Sequence, residues 1–309
     1  MKDRLTAIIT TKNNAVTIRA CIKRVLEAPP DDKEVIVVYG RSNDGTEEIV
    51  KQFGDKVKIL CDNVGTGSAI NTGVLDSRGN VIFYVEGHSF VAKDAFVSVL
   101  KEFEANPDVG YIVFYRYVPP NFEGTAAQKV MNFLRMEMKN STMGQFRAFR
   151  RRTFFDVGGF WVFPKGADDF EFATRMYDTK WKMKVIHSKS WDYPRRDILS
   201  NLKHAGLFTG ACESCWYHIY NSHPYASKEY KISRSDPMSV LYKMIIRKLI
   251  FAPVYALKVA ITKKYLSFFP VCTLIRWTYI IGFFIGKVNW WGKERLDGRV
   301  STLSTGSPR

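Results

Sequence analysis

Cysteine is scarce: five residues among 309, an odd number scattered through apolar context, cannot build a disulfide framework, so a reducing, cytosolic environment is expected. Acidic side chains are also in short supply. The 30 Asp and Glu against 46 Lys and Arg leave a net charge of +16, which implies an anionic partner: nucleic acid, anionic lipid headgroups or a phosphate-rich substrate. The glycine-rich stretch Asn63–Gly73 lacks the G-x-G-x-x-G pattern at the first strand and the Lys-Ser/Thr ending of a P-loop, so it signals neither phosphate cradle. No secretory signal is visible at the start. Met1 to Arg4 lead directly into the first strand, and the catalytic part is expected to stay on the side where it is synthesised.

What the chain does have is apolar content, 46% of residues, enough to bury the core of one large α/β domain plus an appendage. Leu5–Thr11 reads as a strand, followed by a polar turn at Lys12-Asn13-Asn14 and a helix carrying Val16, Ile18, Ile22, Val25 and Leu26 at near-helical spacing. Pro29-Pro30 stops it. Glu34–Val38 is a second strand, Glu47–Phe53 a helix, and Val57–Cys61 a third strand that leads into the glycine-rich segment. Strands alternating with helices predict a doubly wound, mostly parallel α/β sheet.

The fourth strand, Val81–Val85, is an unbroken apolar run ending in Glu86-Gly87-His88. Ligands of open α/β sheets sit at the carboxyl ends of strands, so Glu86 and His88 are candidate metal ligands there, with Gly87 a permissive spacer. A polar turn leaving the core is the plainer reading. Asp168 and Asp169 precede a helix with Phe172, Met176 and Tyr177 on one face, which suits either helix capping or proton abstraction. Cys212, Cys215, His218 and His223 permit zinc spacing, but the recurrence of three reads as one face of a helix.

From Pro237 the composition shifts. Apolar clusters alternate with Lys243, Arg247 and Lys248, and Lys258, Lys263 and Lys264 flank a second apolar piece, as in cationic amphipathic helices at a membrane interface. Tyr265–Lys287 is the most hydrophobic run, interrupted by Arg276 and followed by Trp290-Trp291; a span, a hairpin and an interfacial helix all fit it. Residues 1–230, 231–295 and 296–309 are therefore expected to be a catalytic domain, interfacial or transmembrane helices, and a disordered tail.

The succession Ile8-Ile9-Thr10-Thr11-Lys12-Asn13-Asn14, Val37–Thr46, Asn63–Gly73 and Glu86-Gly87-His88 resembles the nucleotide-binding half of family 2 glycosyltransferases. Gly144–Arg151, Val157-Gly158-Gly159-Phe160 and Ala167–Phe172 are similar to that family's acceptor-side segments, in the family's order. The resemblance implies the GT-A fold, an inverting transfer, and a nucleotide-sugar site formed by Thr10, Thr11, Asn13, Tyr39, Gly40, Ser42, Gly65, Gly67, Asn71, Glu86 and Gly87. It also implies Asp169 as catalytic base with Asp168 beside it, and His187 as third metal ligand with Glu86 and His88. Arg147, Arg195 and Arg196 are the candidate acceptor or phosphate contacts.

Three departures stand out: Tyr39-Gly40 where aspartates are usual, Glu86-Gly87-His88 for Asp-x-Asp, and Thr66 and Ile70 for Lys and Arg. The oxygen and imidazole donors favour Mn²⁺ over Mg²⁺. No Gln-x-x-Arg-Trp motif is present, which argues for single-sugar addition. The plan resembles membrane-associated dolichyl- and polyprenyl-phosphate sugar transferases, implying a GDP-mannose or UDP-hexose donor, a lipid-linked acceptor, and a cell-membrane location with the catalytic domain on the cytoplasmic face. A non-catalytic sugar-nucleotide binder and a basic nucleic-acid-binding protein are the rival classes; without a recognition motif, no nucleic-acid partner is expected.

Overall fold

The structure, a computed structural model, describes residues 4–115, 146–162, 168–193 and 269–291, with isolated positions between them. It divides into two compact units, one formed by residues 1–122 and 138–194, the other by 123–137 and 195–309.

The first unit is built on a seven-stranded sheet of order β3-β2-β1-β4-β7-β6-β8. Its strands are β1 (Leu5–Thr11), β2 (Glu34–Tyr39), β3 (Lys58–Cys61), β4 (Val81–Glu86), β6 (Val109–Phe114), β7 (Arg147–Arg150) and β8 (Lys182–Ile186). β1 lies between β2 and β4, parallel to both, with Thr10 opposite Val38 and Glu86. Continuous apolar runs suit these strands because helices cover both faces of the parallel part. The expected α/β alternation is present: α1 (Ile18–Glu27), α2 (Thr46–Lys51), α3 (Thr66–Leu75) and α4 (Ala95–Ala105) follow their strands in order. Ile18, Cys21, Ile22 and Val25 form the inner face of α1, while Val16 lies outside the helix and is exposed.

The sequence reading did not foresee β7. It runs antiparallel to both β4 and β6, with Tyr84 opposite Arg147 on one side and Val113 opposite Arg147 on the other. One reversed strand thus separates the nucleotide-binding pattern β3-β2-β1-β4 from β6 and β8. On one face of this half an aromatic cluster packs: Phe160 stacks on Phe172 at 4.2 Å, and Tyr111 and Phe149 lie within 6 Å of Phe172. β5 (Ser89–Phe90) and β9 (Trp191–Asp192) form a separate antiparallel pair just beyond the tip of β4.

In the second unit a helix spans Phe269–Trp291. Ile275, Tyr279 and Phe283 are buried, whereas Leu274, Trp277, Ile281 and Ile285 are exposed at spacings of one helical face. No helix among the described residues is long and apolar enough to cross a membrane, so of the three forms that fit Tyr265–Lys287 the span is the one not seen among them. Cys212, Cys215, His218, His223, Arg195, Arg196 and residues 296–309 lie outside the described residues.

Candidate active site

Glu86 ends β4 at the carboxyl rim, and the chain then passes Thr11 at very close range. A Cβ on Gly87 would stand 2.4 Å from Thr11 Oγ1 and 2.7 Å from Thr11 Cβ, so only glycine fits between the two candidate ligands. The turn is held by Gly87 N–H donating to Thr10 O (2.8 Å) and Thr17 Oγ1 donating to Gly87 O (3.1 Å). Cys21 lies beneath it; burial pushes its thiol up to about 12, so it stays protonated and donates to Glu86 O at 3.5 Å. Glu86 Oε2 and His88 Nε2 are 3.1 Å apart.

A third donor joins them. Glu86, His88 and Asp192 each place a ligand atom within 4.8 Å of the others. Asp192 is buried, its Oδ1 accepts a hydrogen bond from Ser89 Oγ, and Tyr193 N–H donates to His88 O at 2.9 Å. The strand pair that carries it is clamped by side chains: Phe90 stacks on Trp191 at 5.4 Å, Trp191 meets Tyr193 at 4.4 Å, and the Arg24 guanidinium lies 3.6 Å above the Phe90 ring. Two carboxylates and an imidazole fit a divalent cation of the harder kind.

His187 is not part of this set. It follows β8 as expected, but its ring stacks on Tyr115 at 4.7 Å, and the third donor is Asp192 instead.

At the neighbouring strand ends, the loops after β1, β2 and β3 are bonded to one another. Gly40 N–H donates to Thr11 O (2.9 Å), Asp62 N–H to Tyr39 O (3.0 Å) and Arg41 N–H to Asn63 Oδ1 (2.6 Å). Asn13, in the left-handed region at φ 54°, donates its N–H to Ser42 Oγ and accepts from Asn43 N–H, each at 3.1 Å. Asn14 N–H reaches Thr46 Oγ1 at 2.8 Å, and Ala15 N–H reaches Asp44 Oδ2 at 3.0 Å.

Two carboxylates fasten this rim. Partial burial of Asp62 opposes ionisation, but hydrogen bonds from Val64 N–H, Thr72 Oγ1 and Ser68 Oγ outweigh it and hold the carboxyl below its usual range. Asp44 behaves alike: burial opposes the charge, and donors from Thr46 and Ala15 prevail.

The structure therefore gathers Thr10, Thr11, Asn13, Tyr39, Gly40 and Ser42 at adjoining strand ends and puts Gly65 and Gly67 at the start of α3. Asn71 is committed elsewhere, its Nδ2 donating to Phe160 O (2.8 Å) and its Oδ1 accepting from Phe160 N–H (2.9 Å). Thr10 Oγ1 is 3.1 Å from Tyr84 Oη, which lies 3.5 Å from Glu86 Oε1. Arg147 begins β7 beside them, its guanidinium 5.9 Å from the Tyr84 ring centre.

Asp168 and Asp169 open the helix Asp168–Arg175. That helix leads, through a short turn, into β8, whose Lys182 N–H donates to Asp108 O at the amino-terminal edge of the sheet. Sequence reasoning missed Asp192, Asp62 and Asp44. Only Asp44 and Asp62 carried a signal, each being the acidic residue of a polar turn after a strand.

The model of Glycosyl transferase family 2 matches residues 6–170. Glycosyltransferase AglE of Haloferax volcanii is 30% identical over 217 residues, 64% of this chain and 69% of AglE. The uncharacterized glycosyltransferase EpsJ of Bacillus subtilis is 30% identical over 128 residues, 38% of this chain and 37% of EpsJ, so the chain spans little more than a third of that relative. Among solved structures, the mannosyltransferase PcManGT of Pyrobaculum calidifontis, in complex with GDP-Man and Mn²⁺, superposes with a TM-score of 0.60 at 19% identity, covering 95% of this chain and 88% of that one. Glucosyl-3-phosphoglycerate synthase of Mycobacterium tuberculosis, with Mn²⁺, UDP and phosphoglyceric acid, gives 0.52 at 14% identity over 70% and 78% of the two chains. Motif order, sheet topology and family match agree, and the chain belongs to glycosyl transferase family 2 and is a glycosyltransferase.

Proposed function

We propose that this glycosyltransferase moves a single hexose, mannose in the first instance, from a nucleoside diphosphate donor to a lipid-linked acceptor such as a polyprenyl phosphate, with inversion. The observation that carries the reading is the convergence of Glu86, His88 and Asp192 at the tip of β4, next to the bonded loops of β1, β2 and β3. These three residues would hold a divalent cation, Mn²⁺ before Mg²⁺ because one donor is an imidazole. A cation bound there supplies countercharge to the departing diphosphate. The ends of β1, β2 and β3 receive the nucleoside, and Gly65 and Gly67 allow the backbone of α3 to approach the diphosphate.

Asp169 is the base that accepts the proton of an attacking hydroxyl; where the acceptor is a phosphate, already ionised, it orients the nucleophile. Arg147, with Arg195 and Arg196, provides guanidinium forks for acceptor phosphate. GDP-mannose is preferred over UDP-hexose because Tyr39-Gly40 replaces the aspartates usual at the base.

Attachment to the cytoplasmic face of a membrane through surface-lying helices is supported by two exposed apolar stripes. Leu274, Trp277, Ile281 and Ile285 form one, and Val254, Leu257 and Ile261 repeat the spacing earlier in the same unit. The net charge of +16 favours anionic headgroups as their neighbour.

The test is transfer of labelled mannose from GDP-mannose to a polyprenyl phosphate with Mn²⁺, run beside a thermal-shift panel of GDP and UDP. Stabilisation by GDP with Mn²⁺ and label in the lipid phase are expected. Stabilisation by UDP alone would overturn the donor, and hydrolysis without lipid labelling would overturn the acceptor.

A further inference from the structure

Trp161 is a large apolar side chain that the fold keeps at the surface, 49% exposed, directly after a residue that is fully engaged in the core. Single exposed apolar residues are ordinary and need no explanation. This one differs in how it is held. Gly158 and Gly159 turn the chain at φ 89° and 74°, and Phe160 then inserts into the aromatic cluster against Phe172. The Asn71 amide bonds both the N–H and the carbonyl of Phe160, tying the loop to α3.

From the other side, Arg175 donates through Nη2 to Gly159 O at 2.6 Å and through Nη1 to Val157 O, while its Nε and Nη2 also donate to the buried carboxylate of Glu171. With its donors so engaged, the guanidinium also stands 5.0 Å from the Trp161 ring centre. The loop and the indole are thus fixed by two helices: α3, which opens at the donor-side rim, and Asp168–Arg175, which opens with the proposed base. Seven positions after Trp161 the chain reaches Asp168. A rigid, pre-oriented indole binds apolar C–H surface with little loss of side-chain freedom.

We propose that Trp161 is an acceptor-binding residue whose indole packs against the apolar C–H surface of the acceptor, and that Arg175 is a positioning residue that holds it in place. This rests on the reading above that the Asp169 side receives the acceptor. Such C–H surface is offered both by isoprenoid units and by the face of a pyranose ring, and the experiment separates them.

Binding of farnesyl phosphate and of methyl α-mannoside is measured by calorimetry on the full chain in detergent, for wild type, Trp161→Ala, Trp161→Phe and Arg175→Lys, with the Kd of GDP and Mn²⁺ recorded alongside. Trp161→Ala is expected to weaken one probe about tenfold, as a lost aromatic contact does, and Trp161→Phe to recover most of it, with the GDP Kd unmoved. A loss confined to farnesyl phosphate assigns the isoprenoid, and one confined to the mannoside assigns the sugar ring. Arg175→Lys should weaken the same probe, and combining it with Trp161→Ala should add almost nothing, since both act through one indole.

Unchanged binding in Trp161→Ala, or no binding of either probe by wild type, overturns the proposal. Failure of transfer with probe binding and its Trp161 dependence intact counts against the transferase reading of this acceptor alone.

Discussion

Ser89 donates its hydroxyl to the buried carboxylate of Asp192 across a strand pair only two residues long. The bond orients Asp192 beside Glu86 and His88, so Ser89 would act on a cation held there through its neighbour. Groups that orient metal ligands typically affect affinity about 10- to 100-fold. Ser89→Ala should therefore weaken Mn²⁺ binding by that factor, read by titration calorimetry, with the folded state preserved. Asp192→Asn should weaken it further, and His187→Ala should leave it as in wild type.

Gly87→Ala tests the close passage at Thr11. The added methyl meets backbone-anchored atoms of Thr11, so the β4 tip must move; overpacking of this kind costs about 1–3 kcal/mol. Chemical denaturation should show that loss, and Mn²⁺ affinity should fall with it because Glu86 and His88 flank the displaced residue.

The carboxylates of Asp44 and Asp62 make the loops after β2 and β3 sensitive to acid. Both are held below the ordinary 3.8, so their contribution is fully present above that pH and is lost as the pH falls through their folded values. Denaturation between pH 5 and about 2 should show stability dropping in the region below 3.8, and Asp62→Asn should flatten that part of the profile. At neutral pH the same variant loses about 1–2 kcal/mol, because the amide accepts the Val64, Ser68 and Thr72 donors less well.

Asp169→Asn separates chemistry from donor binding. Transfer to an alcohol acceptor should fall about 100-fold or more, as loss of a general base does, while the Kd of GDP with Mn²⁺ stays at its wild-type value. A proportional loss of donor affinity would place Asp169 in the donor site instead.

The parallel part of the sheet was legible because its strands are short, β-rich and mainly apolar and the first crossover helix repeats its apolar side chains at helical spacing. Glu86 and His88 were legible for a related reason, as the polar end of the unbroken apolar run Val81–Val85. Asp192 was not: it is brought to His88 by a two-residue strand whose partner lies 103 positions away, and so short a pair has no periodicity to read. His187 follows a strand as a ligand should, yet a strand end does not say which way an imidazole turns, and Tyr115 takes its face. Arg147-Ala148-Phe149-Arg150 buries its two middle residues and so shows none of the alternation that marks a half-buried strand, which hid β7. Asn71 fits a ligand-contacting pattern in sequence, but the demand of Phe160 for two backbone partners was invisible there.

Because β7 runs against its neighbours, β6 leaves the sheet and β7 enters it at the same edge, where Phe114 N–H is bonded to Phe146 O. The chain thus leaves the sheet at Phe114 and returns to it at Phe146 at neighbouring strand ends, on the edge that carries Glu86.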